Sequence, residues 1–471
     1  MGRNSANAAL HPPIHRRRGE KIRYIRNTFP VGRNRTVFSQ LKTAAFSLPP
    51  QRISPMTILL DKKRSATLNV QSPNEATLDQ VLARISALAP MIAQLAPDIE
   101  QARRLPVELV SALKSTRIYG MLIPRRYGGL ELDAISGFRA VTALARLDGS
   151  VGWNAMIGQV AGLMPFLASP TLCEQIFKDG RDHIIAGSGQ PVGAAERVPG
   201  GWRVTGSWPF ASGCQNAEWI GGTCVMMEGG SPIDASDAPG PMIRTCLMPA
   251  ECWEIRDTWN TFGLKGTGSH HVALTDALVP DERFFEFPFG TSFAPEPVFG
   301  KFPEIVVLAH GALAVGIAEG AIVDLVELAR TGAKQMFMTT PLVETERFKE
   351  GLARLDAELM AACALFESQI TRVWQNPERS TGKDLARVAE QVQAAIWITA
   401  ACVRIAEGCF ELAGSRAVYD SSSLQRRVRD LRVAAQHVAV HPRHYVTAGA
   451  AVLARLAARE QLETTHRADR A

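Results

Sequence analysis

A strand-rich island, roughly Ile184 to Phe287, lies between two long helical regions, and few folds place a small β-domain in that position. Trp202 with Val204, and Cys224 with Met226, alternate at period two between Gly- and Pro-rich turns, the pattern of strands with one buried face. The island carries Gly200-Gly-Trp-Arg-Val-Thr-Gly-Ser-Trp-Pro-Phe-Ala-Ser-Gly213 and Thr261-Phe-Gly-Leu-Lys-Gly-Thr-Gly-Ser269, and closes on Thr275-Asp-Ala-Leu-Val-Pro280. A planar cofactor fits between such a β-domain and a helical bundle, touched by hydroxyls and amides from the β side.

The flanks read as helices. Leu78, Val81, Leu82, Ile85, Leu88 and Ile92 recur at three and four residues, predicting one helix from Ala76. A second covers Pro106 to Ser115, and a Pro- and Gly-marked loop follows at Pro124-Arg-Arg-Tyr-Gly-Gly-Leu130. Helical signal resumes over 135–147 and 151–167. Past the island, Phe348, Leu352, Leu355, Leu359, Phe366, Ile370 and Val373 form one apolar stripe. Pro303–Arg330, Asp384–Ala413, Gln425–His437 and a stretch from Arg443 complete an antiparallel bundle. The expected fold class is α+β, mainly α: a helical domain over 76–183, a small β-barrel-like domain over 184–290, and a bundle over 300–460.

Apolar residues form 46% of the 471-residue chain and charged residues 21%, ordinary for a chain that buries a large core. Eight cysteines without a Cys-x-x-Cys pair argue against a disulfide framework or zinc site and for a reducing, cytoplasmic compartment. No apolar run approaches the roughly 20 residues that span a bilayer, so no membrane helix is expected. Residues 1–55 hold eleven Lys/Arg and one acid, Glu20, so this leader outweighs the whole net charge of +6. It lacks an apolar face, and disorder is expected. A nucleic-acid tail, a presequence or an upstream start ahead of Met56 would each give it. The mildly acidic remainder gives no sign of nucleic-acid binding.

The helical–β–helical order with Pro124-x-x-Tyr-Gly-Gly129 resembles the acyl-CoA dehydrogenase fold superfamily. Trp208-Pro-Phe-Ala-Ser-Gly213 and Leu424-Gln-Arg-Arg-Val-Arg-Asp430, followed by Gln436-His437, resemble its two-component flavin-dependent monooxygenases. That branch includes the 4-hydroxyphenylacetate hydroxylase oxygenase components and dibenzothiophene monooxygenase. The dehydrogenase stretch Thr-Glu-Pro-Gly-Ala-Gly-Ser-Asp is replaced here by Ala186-Gly-Ser-Gly-Gln-Pro-Val-Gly-Ala194, and His437-Val438 follows where many dehydrogenases place their base. The resemblance implies an oxygenase component that takes FADH2 or FMNH2 from a separate flavin reductase and reacts with O2. A C4a-hydroperoxide then hydroxylates a small aromatic or similar electron-rich molecule, in a protein that assembles as a homotetramer.

The resemblance places Ser212 at the flavin N5 region and His437, on a helix running from Arg429 to Val440, as the catalytic imidazole. A histidine near neutral pH can deprotonate a phenol-like substrate or donate a proton to the hydroperoxide. Each has a plainer alternative, a turn serine and a core histidine. Trp208 and Phe210 would flank the flavin ring, with surface packing the equal alternative for Trp208. Gly266, Thr267 and Ser269 would meet its phosphate or ribityl chain, although Gly-rich loops are often simple turns. Arg426 and Arg429 would serve an anion or an inter-subunit ion pair. His441 and His444 compete with His437, but Pro442 interrupts any metal-binding spacing. Trp153 and Asn154 stand where some members place a second active-site histidine, which this chain lacks nearby in sequence. No Gly-x-Gly-x-x-Gly fingerprint suggests nicotinamide binding. Two other readings stay open: an acyl-CoA dehydrogenase with Glu304 as base, or a first-turn acid at that position, and a non-catalytic helical scaffold.

Overall fold

The computed structural model describes residues 73–468 apart from 181, 237–238, 287–289 and 379–384. The basic leader over 1–55 lies outside the described residues.

The N-terminal domain contains α1 (Pro73–Ala87), α2 (Ala89–Ala102), α3 (Val107–Thr116), α4 (Ala134–Leu147), α5 (Gly149–Ala161) and α6 (Pro170–Phe177). The single helix expected from Ala76 to Ile92 is broken at Leu88, because Pro90 has no N–H to continue the ladder. Asp148 ends α4 and caps α5, its Oδ1 accepting from Ser150 N and Val151 N at 2.9 and 3.1 Å. Ile85, Ile92, Ile99, Leu109, Leu113 and Leu144 share one core.

The β-domain is one mixed sheet of β1 (Ile185–Val198), β2 (Gly201–Trp208), β3 (Trp219–Glu228), β4 (Ser231–Pro232), β5 (Ile243–Pro249), β6 (Glu254–Arg256), β7 (His271–Val279) and β8 (Phe284–Phe285). Its order is β6-β7-β2-β1-β3-β5-β8, with β4 beside β3. β1 and β3 run parallel, and the other pairs are antiparallel. The sheet is open between its short edge strands, which corrects the barrel-like expectation. Trp202, Val204, Cys224 and Met226 lie in its core, as their alternation predicts, and Trp208 joins them there.

The C-terminal bundle comprises α7 (Phe302–Arg330), α8 (Glu346–Gln375), α9 (Leu385–Ala413), α10 (Ser423–Ala434) and α11 (Tyr445–Ala468). α8 buries Phe348, Leu359, Ala362, Phe366, Ile370 and Val373, much of the predicted stripe. α7 is its central helix, packed on α4, α8, α9 and α10. Contrary to the sequence expectation, Pro297–Arg330 is long and apolar enough to cross a bilayer, with mean hydropathy 1.9. However, 78% of its apolar window is buried inside the fold, as a core helix requires.

A loop of the β-domain locks into the helices. Leu264 N donates to Asp430 Oδ1 at 2.6 Å, and Gly263 lies so close to α10 that a Cβ would sit 2.3 Å from the Arg429 carbonyl carbon. Burial and then the charge of Asp148 push the Asp430 carboxyl up to about 7, against Leu264 N–H, Arg426 and Arg429. A raised carboxyl pKa means the folded state holds the proton more tightly than the unfolded chain. The stabilisation is complete below about pH 4 and lost as pH rises through 7. Asp430→Asn should therefore lie closest to the parent at pH 4 and exceed it at pH 8 by a further ~3–4 kcal/mol in urea unfolding, at about 1.4 kcal/mol per pH unit between the two pKa values. His310 and His437 tilt the parent's own curve the opposite way, since burial lowers both. Only the difference between the two proteins isolates Asp430. An equal difference at both pH values would mean that this carboxyl is charged throughout.

Candidate active site

The chain leaving β2 turns sharply at Pro209–Gly213. Phe210 is in the left-handed region (φ 63°) and leaves its ring 58% exposed, edge-on to Trp259. A non-glycine residue held there stores strain that the surroundings must offset. Ala211 N donates to His270 O at 3.1 Å, and Gly213 N to Thr267 O at 2.8 Å, so the turn is tied to the loop before β7. Ser212 thus sits in a turn. Its side chain is buried. Trp153 Nε1 donates to Ser212 Oγ at 2.9 Å. The Ser212 and Ser269 hydroxyls are 2.7 Å apart, and Ser269 lies 2.7 Å from the Thr267 hydroxyl.

Trp153, on α5, joins this hydroxyl group to a pair of imidazoles. Its ring meets those of His310 and His437, each at 5.6 Å and edge-on, while the two histidines stack at 4.2 Å with 27° between their planes. α10 stops at Ala434, so His437 is not on the predicted helix. Instead it caps the 3-10 turn Val438–Val440, its Nδ1 accepting from Ala439 N at 3.2 Å. That contact puts the proton of the neutral ring on Nε2. The ring keeps a partly exposed edge, yet loss of water around it lowers its pKa to about 4. His310 is buried within α7, and its Nδ1 has no hydrogen-bond partner among the described residues. Burial, then the neighbouring His437, pull its pKa well down.

Other sequence candidates fall elsewhere. Trp208 is fully buried in the sheet, its Nε1 donating to Thr223 O at 2.6 Å, in a slot where a Cβ on Gly193 would come 2.1 Å from the indole. A side chain enclosed in this way cannot flank a cofactor. Gly266 and Thr267 face inward too: a Cβ on Gly266 would meet Ile99 at 2.1 Å, and Thr267 N and Gly268 N donate to the Leu264 and Lys265 carbonyls. This loop supports Ser212, and its Thr267 and Gly268 amides are engaged within the loop. Arg429 gives four of its five N–H groups to Glu100, Gln425 Oε1 and Phe262 O, and Arg426 lies 3.6 Å from Asp148. Both arginines hold domains together within one chain. His444 Nε2 meets Val438 O at 2.8 Å and His441 is exposed, so neither joins the Trp153 cluster. Glu304 is buried in the first turn of α7.

The second histidine absent from the sequence around Trp153 arrives from α7. Its signal was present: a lone imidazole in the apolar run Ile305–Ile317, where a buried polar group asks for a reason. A flavin suits this arrangement on two structural grounds. Ser212 keeps one acceptor position free, and Phe210 presents an exposed aromatic face beside it.

Known proteins resemble the chain along most of its length. Residues 81–171 match the family described as acyl-CoA dehydrogenase, N-terminal domain, and residues 308–442 match acyl-CoA dehydrogenase, C-terminal domain. The flavin-dependent monooxygenase oxygenase subunit HsaA of Mycobacterium tuberculosis is 30% identical over 387 residues, covering 78% of this chain and 94% of that protein. An indole-3-acetate monooxygenase of Acinetobacter baumannii is 29% identical over 337 residues, covering 70% and 82%. The crystal structure of 3-HSA hydroxylase from Rhodococcus sp. RHA1 aligns with a TM-score of 0.70 at 26% identity, over 80% of this chain and 97% of that one.

Proposed function

Because the chain belongs to the flavin-dependent monooxygenase oxygenase subunits of the acyl-CoA dehydrogenase fold, we propose that it uses reduced flavin and O2 to place one oxygen atom on a small aromatic substrate. The observation that carries this reading is the meeting of Ser212, Trp153, His310 and His437 where the β-domain turn, α5 and the bundle converge. Reduced flavin, when bound as FADH2 or FMNH2, would supply the two electrons that activate O2, one atom of which goes to the substrate while the other leaves as water. Ser212 turns the free acceptor position of its Oγ to the ring edge at N5. Phe210 covers the ring and keeps water from that edge. His437 donates from Nε2–H to oxygen at the reacting end, since the tautomer set by Ala439 makes Nε2 a donor. His310 stacks against that ring, its Nδ1 without a hydrogen-bond partner among the described residues.

The dehydrogenase reading gives way, because no feature around Glu304 matches the convergence at Ser212 and His437. Reduced flavin comes from a separate reductase, as for an oxygenase component. Buried free cysteines support a reducing, cytoplasmic setting. We further propose a homotetramer: Met336, Phe337, Met338, Val446 and Leu453 are at least half exposed, more apolar surface than one chain needs.

The test is anaerobic mixing with reduced FMN or FAD, followed by 18O-labelled O2, with indole-3-acetate and resorcinol as probes. The expected result is tight uptake of reduced flavin and a product carrying one labelled oxygen. Absence of labelled product, with FAD-dependent oxidation of an acyl-CoA by an artificial electron acceptor, would restore the dehydrogenase reading.

A further inference from the structure

The hydroxyls around Ser212 have a direction, because both ends of their chain are fixed. Trp153 Nε1 only donates, and it meets Ser212 Oγ at 2.9 Å. The Leu264 carbonyl only accepts, and Thr267 Oγ1 lies 2.8 Å from it. That oxygen also takes Trp259 Nε1 at 3.1 Å and Thr267 N at 3.1 Å, so it is the sink of the chain. Each hydroxyl has one proton and two lone pairs, and oxygens this close need a proton between them. Thr267 therefore gives its proton to Leu264 O. Its 2.7 Å contact with Ser269 must use the Ser269 proton, and the 2.7 Å contact of Ser269 with Ser212 must use the Ser212 proton. Ser212 is left with no proton to offer outward. One lone pair takes the indole N–H, and one remains.

We propose that Trp153, Ser269 and Thr267 are positioning residues that make Ser212 an obligatory acceptor, selecting the N5–H of a reduced flavin against the bare N5 of an oxidised one. This rests on the flavin reading above and adds a redox-state preference built by three residues behind the one that meets the ring. An oxidised ring brings a lone pair to N5, and two lone pairs facing each other repel. Turning the Ser212 proton outward would take the donor from Ser269. Ser212, Ser269 and Thr267 are 7%, 3% and 1% exposed, so water could not replace the lost bond.

The test measures dissociation constants for reduced and oxidised FMN, anaerobically, in the parent, Ser269→Ala, Thr267→Val, Ser212→Ala and the Ser212→Ala/Thr267→Val double variant. The parent should prefer reduced FMN. In Ser269→Ala and Thr267→Val the freed proton turns outward, and the preference should fall about tenfold, from both weaker reduced and tighter oxidised binding. In the Ser212→Ala background Thr267→Val should add nothing, which a general loss of packing would not reproduce. Ser269→Ala reads the same chain should Thr267→Val fail to fold. An unchanged preference in the folded variants overturns the inference while leaving the flavin reading intact. So does a Thr267→Val effect that persists without Ser212. A parent that binds neither form overturns both.

Discussion

Replacing His437 with Ala is expected to slow oxygen transfer by about 10²–10⁴ while reduced flavin still binds, the usual worth of one positioned proton-handling group. The ring is held from three sides: Ala439 N–H on Nδ1, the His310 face at 4.2 Å and the Trp153 edge at 5.6 Å. Nothing in that arrangement depends on flavin, so binding should survive. Reaction with O2 should then end in free hydrogen peroxide in place of product. The tautomer gives a second check. A neutral Nε2–H is a donor, and His437→Gln keeps a neutral N–H, so it should recover at least about tenfold of the loss. A general base would not be rescued by an amide. With its pKa near 4, His437 stays neutral from pH 5.5 to 8 and should add no ionisation to the rate in that range. Parental hydroxylation by His437→Ala would remove it from the chemistry.

Much of this architecture was legible because it rests on periodicity. The α8 stripe and the alternation of Trp202 with Val204 each name a buried face directly. Other features depend on pairings that periodicity does not encode. The open sheet follows from short edges at β6 and β8, a matter of which strands find partners. The end of α10 is set by a ring nitrogen capping the next turn, so a helical pattern that ran on to His437 misplaced it. Trp208 carries the same residue type whether it lines a cofactor or fills a slot left by Gly193, and only the fold decides. The α7 helix was missed as an apolar span because Glu304, His310, Glu319 and Asp324 interrupt any single run, although the average stays high. His310 and His437 lie far apart in the chain, and their stacking required the bundle to bring α7 against the segment after α10.

Arg427→Ala should be strongly destabilising, costing about 3–5 kcal/mol in urea unfolding. Arg427 is buried on α10. Its Nε donates to Asp324 of α7 at 3.1 Å, and its terminal nitrogens donate to Ala145 O, Arg146 O and Leu147 O at 3.1, 2.8 and 3.2 Å. Those carbonyls end α4, where no intrahelical N–H remains to meet them and the helix dipole favours a cation. Gly320 makes the space: a Cβ there would stand 2.5 Å from the guanidinium carbon. Truncation would leave a carboxylate and three carbonyls unpaired at once. A lysine has one charged nitrogen and no planar fork, so Arg427→Lys should recover only part of the loss. Removing the stranded acid as well, in Arg427→Met/Asp324→Leu, should recover more than Arg427→Met alone yet stay below the parent, because the α4 carbonyls still lack donors. A melting temperature for Arg427→Ala equal to the parent's would show that water reaches this site. The consequence for function lies on the same helix. α10 leads directly to His437 and carries Asp430, which holds the β-domain loop, so loosening it at Arg427 should also raise peroxide release at the expense of oxygen transfer.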